Sequence, residues 1–148
     1  KYPKAIKEYA DRFTPARDWE TEVQVLWGET GTGKTRFVHE TVKEERRELF
    51  MHPGESWFDG YTGQEDVLFD DFNGSEFKLA YLLKLLDRYG FRVPVKGAYV
   101  QWVPKRIWIT SNKDPQDWYA NCHSEQRAAL RRRFTKVTHF ARIGSFSQ

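Results

Sequence analysis

The sequence predicts an α/β domain in which a central, mostly parallel sheet is flanked by helices. Three observations lead there. Short Val- and Ile-rich runs alternate with amphipathic runs of helical period. A glycine-rich loop, Gly28-Glu29-Thr30-Gly31-Thr32-Gly33-Lys34-Thr35, separates the first such strand from the first long helix. A later apolar strand ends in two carboxylates, Asp70 and Asp71.

Taken in order, residues 4–13 read as a short helix with Ala5, Ile6, Tyr9 and Phe13 on one face, ended by Thr14-Pro15. Residues 22–27 alternate and are rich in Val, so a strand is expected. A helix follows the loop from Lys34 towards Arg46, then a short strand at 49–51, a turn-rich loop at 59–63 and a strand at 66–69. Residues 76–89 carry Leu79, Leu82, Leu83, Leu86 and Tyr89 in helical register, and Gly90 stops them. Residues 92–95 and 98–102 flank Lys96-Gly97 as a β-hairpin. A strand is expected at 106–110, helices at 114–119 and 124–132, and a closing strand at 135–140. No internal repeat or low-complexity stretch interrupts this alternation.

At 148 residues the chain suits one domain with one core, and its 16% aromatic content favours a packed interior over disorder. No apolar run is long enough to cross a bilayer. No signal-peptide pattern is present. The chain opens on Lys1 and its only methionine is Met51, so it is expected to be a piece of a longer protein. The single cysteine, Cys122, excludes a disulfide framework and a cysteine-based zinc site, and reads as a filler or surface residue. His39, His52, His123 and His139 lie far apart and are expected at the surface or partly buried, not on a metal.

The charge is uneven. Six of the 24 Lys and Arg lie in residues 126–148, which carry no Asp or Glu; the other 18 face all 21 acids, a net of −3. A basic segment of this kind attracts polyphosphates, and a solvated charged helix would look the same.

The loop matches G-x-x-x-x-G-K-[ST] at every fixed position. Glycines let the backbone turn its N–H groups inward onto phosphate oxygens. The free N–H groups and dipole of the helix that follows favour an anion. Lys34 brings a positive charge to the β and γ phosphates, and Thr35 a hydroxyl to Mg²⁺. Position between a strand and a helix separates this reading from a glycine-rich turn with an incidental lysine. The ligand expected is ATP with Mg²⁺. Of the two acids, Asp70 is assigned to the metal and Asp71 to a water. Asn112 ends the 107–112 run, where a polar residue reaches the γ phosphate and the attacking water; alone, it would read as a turn residue.

These elements, in this order and compact spacing, resemble a superfamily 3 helicase. More narrowly, the chain resembles the ATPase domain of the replication-associated (Rep) proteins of circoviruses and related single-stranded DNA viruses. The resemblance rests on the loop, on Trp57-Phe58-Asp59-Gly60-Tyr61, on the stretches 67–72, 86–89, 95–97, 107–112 and 117–119, and on 130–135. The loop departs in detail, with Glu29-Thr30-Gly31-Thr32 where circovirus members carry Pro-Pro-Gly-Cys.

The resemblance implies a P-loop NTPase of AAA+ type that assembles as a hexameric ring and unwinds DNA 3′-to-5′ in the host nucleus. It implies that the hairpin before the sensor strand points into the ring, with Lys96 and Gly97 on single-stranded DNA and Tyr99 or Trp102 available to stack. It aligns Arg132 and Arg133, but not Arg131, with an arginine finger acting on the neighbouring subunit. It divides the chain into a linker or oligomerisation helix at 1–17 and the ATPase domain at 18–148. An HUH endonuclease domain is implied upstream; the present chain has no His-x-His pair. The Trp57–Tyr61 block has no mechanism at this level and reads as a packed turn or a support for the nucleotide or DNA loop. A nucleotide-gated DNA-binding module, a viral RNA helicase and a small P-loop kinase remain alternatives.

Overall fold

The computed structural model describes residues 14–141, so the helix expected at 4–13 lies outside the described residues. The elements are β1 (Glu22–Gly28), α1 (Lys34–Glu44), β2 (Leu49–Met51), β3 (Asp66–Phe69), α2 (Leu79–Leu85), β4 (Arg92–Val95), β5 (Ala98–Gln101), β6 (Arg106–Ser111), a 3₁₀ turn (Pro115–Asp117), α3 (Ser124–Arg133) and β7 (Lys136–Phe140). Five strands form one sheet in the order β2-β3-β6-β1-β7, and every neighbouring pair is parallel. β4 and β5 form a separate antiparallel hairpin. Among the described residues no helix is long and apolar enough to cross a membrane.

The two central strands β3 and β6 are covered on both faces, which is why they read as continuous apolar runs, whereas β1 alternates and the edge strand β7 is polar. Leu26, Leu68 and Trp108 point to one face and pack with Val38 and Val42 of α1. Their neighbours in sequence, Val25, Val67, Phe69, Ile107 and Ile109, point to the other. There they meet Leu79, Leu82 and Leu85 of α2, Val93 and Val95 of the hairpin, and Leu130 of α3.

Two helices are shorter than expected, for identifiable reasons. α2 covers only the middle of the predicted 76–89 span. The Glu76 carboxylate is taken up in a turn, accepting the Asn73 and Gly74 N–H groups at 3.2 Å. At the other end the buried Arg17 guanidinium donates to the carbonyls of Lys84 and Leu85, both at 2.7 Å, and of Tyr89 at 3.0 Å. A continuing helix would need the Lys84 and Leu85 carbonyls for its next turn, so it ends there. The helix predicted at 114–119 is only the 3₁₀ turn. Asp114 caps it by accepting the Gln116 N–H at 2.9 Å, and Trp118 then leaves it in extended backbone to bury its indole.

The amino-terminal end of the sheet holds a buried charge. Asp66, fully inaccessible, accepts from Arg47 Nε at 2.7 Å, Arg106 Nε at 3.0 Å and Trp108 Nε1 at 3.1 Å. The carboxyl-terminal ends carry the loops. Glu22 pairs with Arg106 and Trp27 with Ser111, so the loop after Gly28 and the segment after Ser111 leave side by side. Phe69 pairs with Ile109, which sets Asp70 beside Thr110.

Candidate nucleotide-binding site

β1 delivers Gly28 into the loop at φ 152, and a Cβ there would lie 2.0 Å from the Phe140 carbonyl of β7, so only glycine fits. Gly31 and Gly33 adopt left-handed backbone at φ 83 and 89. Gly33 is the residue before α1, and no side chain caps the helix. The first N–H groups of α1 are left for an anion. Lys34 is buried, 7% exposed, and its ammonium donates to the carbonyls of Gly28 and Glu29 at 2.8 Å, to Thr32 Oγ1 at 3.3 Å and to Asn112 Oδ1 at 3.5 Å. Burial pushes its pKa below the usual lysine value, and Asp71 and Asp70 oppose that shift.

Asp70 joins three elements. Thr35 Oγ1 of α1 donates to its Oδ1 at 2.6 Å, and Thr110 Oγ1 of β6 donates to the same oxygen at 2.7 Å. The Thr110 hydroxyl also accepts the Asp71 N–H at 2.9 Å, and the Thr110 carbonyl accepts the Phe72 N–H at 2.7 Å. Asp71 is held in left-handed backbone, φ 55. A cleft of about 320 Å³ gathers Thr30, Gly31, Gly33, Lys34, Thr35, Asp70, Asp71 and Asn112, and adds Arg36 and Thr110. Gly28, Glu29 and Thr32 stay outside its lining and hold Lys34 from behind. Thr110, not among the residues expected at the site, is marked by its place in β6 opposite the end of the acidic strand.

The donor set fits a hard divalent cation. Thr35 and Asp70 offer a hydroxyl and a carboxylate in contact, both oxygen ligands. Among the described residues no cluster of three or more His, Cys, Asp or Glu could hold a metal unaided. A cation here would complete its shell with phosphate oxygens and water.

The hairpin stands apart from this cleft, with Lys96 and Gly97 exposed at its tip and Gly97 at φ 78. Trp102 is not available to stack on nucleic acid. It is fully buried against Phe58 and Tyr61 and donates its indole N–H to the Leu85 carbonyl at 2.9 Å. Tyr99 is 61% exposed. The Trp57–Tyr61 block now has a structural part: it clasps the hairpin. The Phe58 N–H donates to the Pro94 carbonyl at 2.8 Å, Asp59 Oδ1 accepts the Lys96 N–H at 2.7 Å, and the Tyr61 hydroxyl accepts the Val103 N–H at 3.1 Å.

Arg132 and Arg133 do not join the phosphate cleft of their own chain. They line a different cleft, with Thr21 and Asp87, at the start of β1. Seven residues of strand separate the two ends, about 20 Å. Arg133 contacts Asp87 at 3.5 Å and its own helix at the Ala129 carbonyl, 3.0 Å. The Arg132 side chain is exposed and makes no hydrogen bond or ion pair among the described residues. Cys122 is half-buried and free. His52, against expectation, is buried among Phe50, Phe58, Phe69 and Phe77, because its ring packs as an aromatic.

Residues 24–113 match the family model described as RNA helicase. The chain belongs to this helicase family. Within it, the chain is a superfamily 3 helicase domain homologous to circovirus replication-associated proteins. It is 45% identical over 119 residues to the replication-associated protein of Goose circovirus, covering 79% of this chain and 38% of that protein. Identity to the protein of Beak and feather disease virus is 44% over 122 residues, covering 82% and 39%. Identity to that of Porcine circovirus 1 is 37% over 132 residues, covering 88% and 41%. The helicase domain thus spans about 40% of the length of these curated relatives. The X-ray structure of JCV helicase aligns over 82% of this chain and 35% of that one, at 15% identity and a TM-score of 0.45. Membership in a helicase family implies nucleoside triphosphate binding.

Proposed function

We propose that this domain is the ATP-driven motor of a viral replication initiator, hydrolysing ATP with Mg²⁺ to move along and unwind DNA. The observation that carries this reading is the contact of Thr35 and Thr110 with one oxygen of Asp70, beside the buried ammonium of Lys34. Lys34 and the open N–H groups at the start of α1 bind and orient the β and γ phosphates. Thr35 and Asp70 would hold Mg²⁺, which would supply positive charge against the phosphates. Asp71 and Asn112, on the same cleft, position the attacking water. Because Arg132 and Arg133 open at the far end of β1, they act on a neighbour's nucleotide in a ring, six-membered by resemblance. Arg132 is the finger: its guanidinium is uncommitted, whereas Arg133 is tied to Asp87. Lys96 and Gly97 grip single-stranded DNA.

The 3′-to-5′ polarity, the nuclear setting and the upstream HUH endonuclease domain are carried by the kinship alone. So is the division into a 1–17 linker and an 18–148 motor. ATP turnover measured with and without single-stranded DNA tests the reading. DNA should raise turnover and promote assembly, and Lys34→Ala should reduce turnover to background. Turnover and assembly both indifferent to DNA would sink the motor reading; stimulation by RNA alone would turn it to the RNA helicase suggested by the family description.

A further inference from the structure

We infer that Asp59 is a positioning residue for nucleic-acid binding, fixing the hairpin tip so that the Lys96 ammonium faces the strand. The inference rests on the reading that Lys96 contacts DNA. A two-residue hairpin loop closes with bonds between the flanking strand residues, here Val95 and Ala98, and leaves the N–H of its first loop residue without a partner in the hairpin. In this chain that N–H belongs to Lys96, and Asp59 Oδ1 accepts it at 2.7 Å from a loop 37 residues earlier. The length is that of a charge-assisted bond. Asp59 is itself held on both sides, by the fully buried Phe58, whose N–H bonds the Pro94 carbonyl, and by Tyr61, which is 3% exposed and bonded to Val103. With its backbone anchored, Lys96 has only its side chain left to move. A lysine on a pinned tip loses less freedom on meeting a phosphate than one on a swinging tip. The carboxylate acts through one oxygen on a backbone group, so an amide can replace it.

The test uses the full chain and a fluorescein-labelled oligothymidylate, with anisotropy as the readout and wild type, Asp59→Ala, Asp59→Asn and Lys96→Ala compared. Loss of the acceptor in Asp59→Ala should weaken binding about fivefold, the worth of one net hydrogen bond. Asp59→Asn keeps the acceptor and removes a negative charge near the strand, so it should bind as tightly as wild type or tighter. A role that depended on the carboxylate's charge would not give this rescue. Hydrogen exchange of the Lys96 amide gives a second readout, with protection lost in Asp59→Ala and kept in Asp59→Asn. Weakened binding in Lys96→Ala but not in Asp59→Ala overturns the inference and spares the reading of the hairpin. Equal weakening in Asp59→Ala and Asp59→Asn overturns the acceptor role. No effect of Lys96→Ala removes the hairpin reading, and the inference with it.

Discussion

Thr110→Val replaces a hydroxyl with a methyl in a buried strand position of the same shape. Thr110 is 1% exposed, so repacking contributes little and the change isolates two hydrogen bonds. One is donated to Asp70 at 2.7 Å; the other is accepted from the Asp71 N–H at 2.9 Å. A hydrogen bond to a charged group is worth about 1.5–3 kcal/mol, and a buried N–H left unpaired costs about 1–3 kcal/mol. Both carboxylates face solvent, where water replaces part of each loss. We therefore expect a net cost of about 1–2 kcal/mol, a fall in Tm of roughly 3–8 °C for a domain of this size. The functional cost falls on Asp70, which keeps only Thr35 to orient it. Binding of a fluorescent ATP analogue, titrated with Mg²⁺, should need about tenfold more metal in Thr110→Val, equivalent to about 1.4 kcal/mol. Thr110→Ser should restore the metal dependence while sacrificing some melting temperature. Thr110→Val with wild-type Mg²⁺ dependence would refute the claim that β6 orients the acid.

Three further outcomes follow from the same geometry. His52 titrates near 4 in the folded protein, lowered by burial from the ordinary 6.5. The unfolded chain therefore binds the proton first, and about 3 kcal/mol of stability present above pH 6.5 should drain away as pH falls towards 4. His52→Leu should flatten that acid limb in thermal melts, and an unchanged limb would place the sensitivity elsewhere. Arg132→Ala should cut turnover by about a thousandfold with little change in Tm, while Arg133→Ala, which breaks the pair with Asp87, costs about 0.5 kcal/mol of stability. Mixing Arg132→Ala with Lys34→Ala subunits should recover turnover, since some interfaces then pair an intact loop with an intact finger; no recovery argues against action across subunits. Asp66→Asn leaves Arg47 and Arg106, each partly exposed, with only Glu45 and Glu65 as carboxylate partners and should cost about 1–3 kcal/mol by urea denaturation.

The sheet was largely legible because its signals are local. Short apolar runs, Leu-Phe-Met and Val-Leu-Phe, place β2 and β3 where they are found. The glycine loop, the acid pair and Asn112 converge on one cleft because parallel strands in register bring consecutive carboxyl-terminal loops together. What was not legible depends on partners distant in sequence. Nothing near Leu85 announces that Arg17 will stop the helix there. Trp102 has the composition of a stacking residue and the environment of a core residue, and only packing against Phe58 and Tyr61 decides between them. Asp59-Gly60 looks like a turn from within, and its contact with Lys96 crosses 37 positions.

Arg17 has a consequence for how this domain can be cut. Its guanidinium closes the end of α2, and the adjoining Thr21 hydroxyl donates to the Asp87 carbonyl at 3.2 Å, in the turn whose side chain pairs with Arg133. The opening of the described chain and its arginine-rich helix are therefore fastened to the same few residues. A truncation beginning at Asp18 would remove the guanidinium that donates to the Lys84, Leu85 and Tyr89 carbonyls and loosen the turn beneath α3. The shortest well-folded version starts at or before Arg17, and a fragment trimmed one residue later should be recognisable by protease cleavage between Lys84 and Gly90.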